Sequence, residues 1–191
     1  MKKVEHGKTF DRNAANPPAF EIFHNTVTEG YPEHWHTAIE IIMPTRGEYE
    51  VVVGKDSYNL KEGDIIMINS GVVHGMRFVS QGERIVMLVE PGCVENQEEM
   101  ETIFLRLPAI YFKKEDEEDP FYLFLRSQIL ELVREYDNEG AVMTHRICTG
   151  LKELFSEFGR KGFSDANAQN TFGAMKQQEY ICLLYTSDAA D

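Results

Sequence analysis

His34-Trp35-His36-Thr37-Ala38-Ile39-Glu40-Ile41-Ile42-Met43-Pro44-Thr45-Arg46-Gly47 decides how the rest of the chain is read. Side chains on an extended strand alternate between its faces, so His34, His36 and Glu40 are expected to share one face with Ala38 and Ile42. Two imidazoles and a carboxylate pointing the same way can serve as ligands for a borderline divalent metal, and Ala38 leaves room in front of them. Trp35, Ile39 and Ile41 have the opposite parity. That apolar outer face needs a cover, from the C-terminal helices or a second protomer.

A second stretch, Gly63-Asp64-Ile65-Ile66-Met67-Ile68-Asn69-Ser70-Gly71-Val72-Val73-His74, supplies a further imidazole at the start of a strand, after a turn that Gly71 permits. Met76 and Phe78 follow with the parity of His74 and would add an apolar wall to the polar cluster. A concave, mostly apolar surface with a few placed polar groups suits small-molecule binding. Strand position adds Arg46, Tyr49 and Met67 as pocket candidates. Met76 joins them.

Around these motifs, residues 20–89 carry short β-branched and aromatic runs: Phe20–Phe23, Ile39–Met43, Tyr49–Val53, Ile65–Ile68, Arg77–Val79 and Ile85–Val89. Turn residues separate them and no helical period intervenes, which predicts an antiparallel sandwich or barrel. After Pro91-Gly92 the texture changes. Asp119-Pro120 opens a helix with an N-cap and a first-turn proline, and Phe121, Phe124, Leu125, Ile129, Leu132, Val133 and Tyr136 form its apolar stripe. Met143, Ile147, Leu151, Leu154, Phe155 and Phe158 form a second stripe, ended by Gly159-Arg160-Lys161-Gly162. Two helices joined by so short a loop are expected to pack antiparallel against the barrel or another subunit.

Four segments follow from this: an N-terminal arm over 1–19, a barrel over 20–92, a connecting segment and helical pair over 93–162, and a linker with a short helix (Ala174–Leu184) and tail over 163–191. The last residues, Leu183-Leu184-Tyr185-Thr186-Ser187-Asp188-Ala189-Ala190-Asp191, fit neither helix nor strand and resemble translated adapter read-through. On that reading the open reading frame is truncated and a C-terminal domain is missing.

The bulk properties restrict function. The 191-residue chain has 19 basic against 32 acidic residues, a net charge of −13. Such a field opposes phosphate backbones, whose binding draws on basic groups, so this segment alone is not expected to bind DNA. No apolar run approaches the roughly 20 residues that span a bilayer, and the N-terminus lacks the apolar core of a secretory signal. The cysteines, Cys93, Cys148 and Cys182, are odd in number and widely spaced, which suits a reducing compartment; a cytoplasmic location is expected.

The two motifs resemble those of the cupin superfamily. The first, His-x-His, Glu and Gly, is met by His34, His36, Glu40 and Gly47; the second, by Gly63, Gly71 and His74, with Asn69 where that family usually has proline. The resemblance implies a mainly-β fold, a double-stranded β-helix or jelly-roll barrel, here followed by an α-helical pair. Within cupins the chain resembles, from Phe20 to about Ile181, the ligand-sensing half of AraC-type transcriptional regulators. That implies an effector site for a small polar metabolite such as a sugar, a homodimer through the C-terminal helices, and DNA contact only through an absent helix-turn-helix domain. His34, His36, Glu40 and His74 are then either metal ligands for Zn, Mn, Fe or Ni, or a hydrogen-bonded polar lining of the effector pocket. The alternative is a metal-dependent cupin isomerase or oxygenase using the same four residues.

Overall fold

The computed structural model describes residues 19–26, 30–93, 108–114, 118–138 and 140–161. The expected arm up to residue 18 and everything from 162 onward, including the expected helix at Ala174–Leu184, lie outside the described residues.

Nine strands precede two helices within that span: β1 (Phe20–Asn25), β2 (Tyr31–His34), β3 (Ile39–Arg46), β4 (Tyr49–Val53), β5 (Asp56–Leu60), β6 (Ile65–Ile68), β7 (His74–Phe78), β8 (Glu83–Val89), β9 (Ala109–Phe112), α1 (Pro120–Asp137) and α2 (Met143–Lys161). They form a five-stranded sheet, ordered β1-β8-β3-β6-β9, and a four-stranded sheet, ordered β2-β7-β4-β5. Every pairing is antiparallel. Of the strands not anticipated, β2 and β5 edge the smaller sheet. The third, β9, pairs Ile65–Ile68 with Ala109–Phe112 and so lies beyond the 20–92 span expected for the barrel.

The larger sheet is buried on both faces, which is why its strands read as near-continuous apolar runs. On β3, Ile39, Ile41 and Met43 pack in one core with Ile65 and Met67 of β6, Ile85, Met87 and Val89 of β8, and the helices. Ile42 faces the other way and packs inside the barrel with Ile66, Ile68, Tyr49, Val51 and Val53. The smaller sheet has one wet face, and β5 alternates accordingly, with only Leu60 fully buried.

The helices cover the outer face of the larger sheet. Asp119 caps α1 by accepting from the Phe121 N–H at 2.9 Å, with Pro120 in the first turn. Phe121, Leu125, Ile129 and Leu132 of α1 and Ile147, Leu151, Leu154, Phe155 and Phe158 of α2 are buried against the strands. The Tyr122 hydroxyl donates to the Gly63 carbonyl at 2.8 Å, pinning the start of α1 to the turn before β6. Fully burying each of these aliphatic or aromatic side chains contributes roughly 1.5–3 kcal/mol, so the shared core holds helices and barrel together.

Candidate functional site

The cluster forms at a corner of the barrel. His34 ends β2 in the smaller sheet, and Glu40 is the second residue of β3 in the larger one. Between them Trp35 to Ala38 is not strand, so the expected single extended segment from His34 to Glu40 is corrected: the chain changes sheets there. His34 faces His74 across the β2–β7 pair. Trp35, expected under a cover with Ile39 and Ile41, is 45% exposed, whereas those two isoleucines are buried beneath the helices.

A backbone hydrogen bond fastens the two motifs to each other. The Gly71 N–H donates to the His36 carbonyl at 2.8 Å. Gly71 has φ +73°, a left-handed conformation that a side chain would strain, so the turn delivers His74 beside His36. The His34, His36 and His74 rings then stand 4.5 to 5.6 Å apart between centroids. One candidate ligand atom from each of His34, His36, Glu40 and His74 lies within 4.8 Å of all the others.

Each imidazole is oriented by its own backbone. Nδ1 of His34 meets the Pro32 carbonyl at 2.9 Å, Nδ1 of His36 the Ala38 carbonyl at 2.9 Å, and Nδ1 of His74 the Val72 carbonyl at 2.8 Å. A carbonyl only accepts, so the hydrogen-bond network assigns the proton to Nδ1 in all three rings and leaves Nε2 for the centre of the cluster. There the Nε2 atoms of His36 and His74 stand 2.9 and 3.0 Å from the same Glu40 oxygen, Oε2. A lone pair facing a carboxylate oxygen needs something positive between them: a proton that makes imidazolium, or a metal cation. Three Nε2 donors with backbone-fixed tautomers and one carboxylate form the donor set of a borderline divalent ion, so the residues fit such a metal.

The electrostatics follow from the same contacts. Burial alone would raise the Glu40 carboxyl, yet hydrogen bonds from His36 and His74 and their charge hold it well below the usual carboxylate range. For His74, burial pulls the imidazole down, but the hydrogen bond to Glu40 and its charge leave it above its ordinary value. His34 lies below its ordinary value because burial and the nearby His74 outweigh the Pro32 hydrogen bond.

The four remaining pocket candidates separate. Tyr49 and Met76 lie buried in the barrel interior. Met67 does not, because it pairs with Ile41 and shares its parity, which turns it toward the helices. Arg46 is also corrected: an irregularity between Pro44 and Arg46 turns its 60% exposed side chain outward, onto Glu83 at 3.0 Å. The sequence reading passed over Arg84, which heads the apolar run of β8. Its side chain is wholly buried, with Cζ 4.9 Å from the Tyr49 ring centroid, and its Nε, Nη1 and Nη2 have no hydrogen-bond partner among the described residues.

The inward faces do not close into one apolar core. One cluster gathers Ile42, Tyr49, Val51, Val53, Leu60, Ile66, Ile68, Val72 and Met76. A separate one holds Ala38, Val86 and Leu88 with Phe23 against it.

Residues 25–90 match the family model described as a cupin domain. No curated protein sequence matches the chain. Among solved structures, an apo variant of ToxT from Vibrio cholerae is similar at 11% identity and a TM-score of 0.51, over 76% of this chain and 58% of that one. The chain thus spans little more than half of that protein. An oxalate decarboxylase variant of Bacillus subtilis matches at 18% identity and a TM-score of 0.35, over 38% of this chain and 21% of its own. A cupin-2 domain protein of Shewanella frigidimarina matches at 16% identity and a TM-score of 0.35, over 40% and 76%. The fold is a mainly-β cupin jelly roll followed by two helices.

Proposed function

We propose that this chain is the small-molecule-sensing part of an AraC-type transcriptional regulator, and that the barrel interior is its effector site. The observation that carries this reading is the interior itself. Two apolar clusters that do not merge, with buried Glu40, His36, His74 and Arg84, suit a site that takes a ligand better than one packed for stability. The outer face of the same sheet is built into the helices, so a change inside has a route to the surface. The fold likeness to ToxT, an AraC-family regulator, covers 76% of this chain, more than the barrel motifs alone. In the whole protein, effector binding would be coupled to a DNA-binding domain outside this chain, typically by about 1–3 kcal/mol.

His34, His36, Glu40 and His74 would hold a divalent transition metal, which when bound would supply Lewis-acid polarisation or a coordination point for a polar ligand. Glu40 holds two imidazoles through one oxygen, and the carbonyls of Pro32, Ala38 and Val72 fix the ring tautomers. This donor set also favours a second reading, a metal-dependent cupin enzyme. Leu123 and Leu130, exposed seven residues apart on α1, support a homodimer through the helices. The cytoplasm is the location a regulator of this kind needs.

Elemental analysis of protein purified without chelator and resupplied with metal, with His74→Ala as control, tests the cluster. Stoichiometric metal that is lost in the variant establishes the four-ligand site and brings the enzyme reading level. Metal-free wild type makes these residues pocket lining. Saturable stabilisation by a metabolite panel without turnover is the result expected of a sensor; turnover would overturn that reading.

A further inference from the structure

We infer that Arg84 is the anchor for an organic monocarboxylate inside the barrel, which deepens the sensor reading and rests on it. Arg84 opens the inward-facing row of β8, followed by Val86 and Leu88, and its cross-strand partners are Asn25 on β1 and Pro44 on β3. Its side chain has no exposure to solvent, and among the described residues none of its three nitrogens has a hydrogen-bond partner. The guanidinium carbon lies over the Tyr49 ring, 4.9 Å from its centroid. A cation–π contact offers the five N–H donors of the group no lone-pair acceptor. A guanidinium cannot shed its charge at physiological pH, so burial without an anion is a cost that the fold alone does not offset.

Two carboxylates of the same sheet, Glu83 and Glu40, are engaged elsewhere. Glu83, the preceding residue, faces the other way and holds Arg46 at 3.0 Å and His24 at 4.0 Å. Glu40 faces Leu88, four residues along β8 and therefore about 13 Å from Arg84 by strand rise, and is held by His36 and His74. Two more buried polar atoms on residues that face Arg84, the Tyr49 hydroxyl and Oδ1 of Asn25, lack partners among the described residues. Three such groups, on the paired strands β1 and β8 of the larger sheet and on β4 of the smaller one, mark one polar end of the interior. A planar carboxylate satisfies the guanidinium through two parallel hydrogen bonds and can accept a third from Tyr49.

One fixed positive charge is balanced by a monoanion, while a phosphate dianion would add uncompensated negative charge to an interior that already holds Glu40. Phe23, Val86, Leu88 and Ala38 continue the inward surface from Arg84 toward the histidine cluster and offer an apolar lining for the body of the acid.

The test is calorimetric titration and thermal shift on the full 191-residue chain, using a monocarboxylate series from acetate through butyrate to benzoate, with butyramide and benzamide as neutral isosteres and inorganic phosphate as the other anion. The expected result is a saturable rise in Tm with at least one carboxylate and at least tenfold weaker binding of its amide. Arg84→Met is expected to abolish that binding while melting, without ligand, at or above the wild-type temperature. Equal binding of acid and amide, binding retained in Arg84→Met, preference for phosphate, or no response to any carboxylate would overturn the inference. If Arg84→Met fails to fold, the acid-against-amide comparison on wild type still decides. Arg84-independent binding of a neutral metabolite would sink this inference and leave the sensor reading intact.

Discussion

Leu151→Ala tests whether the helices and the barrel are one folding unit. Leu151 has no exposed surface and sits in the core that joins α2 to Ile39, Ile41, Met67 and Met87 of the sheet. Truncating a buried leucine costs about 2–5 kcal/mol, depending on how far the surroundings collapse into the space left behind. Leu151 is wholly buried in a cluster that α1 and the sheet share, so little collapse is anticipated and about 3–4 kcal/mol is expected. For a unit of this size that lowers Tm by roughly 10 °C. Two probes report on opposite parts of the molecule: helical ellipticity follows α1 and α2, and the fluorescence of the single tryptophan, Trp35, follows the corner of the barrel. The midpoints from both probes should fall together in thermal or urea unfolding. A variant whose ellipticity shifts while the Trp35 midpoint stays in place would refute the shared core, and with it the route from barrel interior to helices.

Gly82→Ala should destabilise by about 3 kcal/mol in urea titration, because the new Cβ would lie 2.2 Å from the Arg46 carbonyl oxygen and 2.8 Å from the Tyr49 hydroxyl; a loss under about 1 kcal/mol would mean the hairpin relaxes freely. Asp64→Ala removes the acceptor for the N–H groups of Lys61 and Lys114, at 2.9 and 2.8 Å, and for the Tyr111 hydroxyl at 2.6 Å. It should cost about 3 kcal/mol and reduce amide-exchange protection across Ala109–Phe112 first; unchanged protection there would contradict the role of Asp64 in holding β9. Burial, reinforced by the hydrogen bond with Cys148 at 3.5 Å, pushes the Cys93 thiol up to about 12. A folded value above the ordinary 9.0 gives a contribution to stability that is complete below that pH and lost as the pH rises toward 12, and alkylation of Cys93 at pH 8 should be far slower than that of a free cysteine. Peptide mapping after iodoacetamide treatment checks the rate.

The strands that were legible in the sequence are mainly those buried on one or both faces. All three missed strands are sheet edges: Tyr31–His34 contains a proline and is mostly exposed, Asp56–Leu60 is largely polar, and Ala109–Phe112 is only partly buried. An edge strand has one partner and one wet side, so pairing decides its state more than composition does. The cluster was legible because its ligand spacing is unusual, although the parity argument failed at the sheet change between His34 and Ile39. Met67 and Arg46 were misplaced for want of register: pairing opposite Ile41 turned one toward the helices, and a strand irregularity turned the other outward. Arg84 could not be read at all, since an arginine heading an apolar strand looks like an ordinary solvent-facing strand end.

Strand β3 is a party wall. Its odd-numbered side chains, Ile39, Ile41 and Met43, are bedded in the helical layer, and its even-numbered Glu40 and Ile42 furnish the chamber on the other side. Backbone hydrogen bonds to β8 and β6 prevent the strand from slipping lengthwise by a single residue, because that would exchange the two sets. A tilt of the strand about its own axis would instead keep the register and displace the chamber lining and the helix seat in opposite senses at the same instant. On the sensor reading, a ligand pressing on Glu40 from within would bear on Ile39 and Ile41 at the helical seat, with β3 itself as the fulcrum.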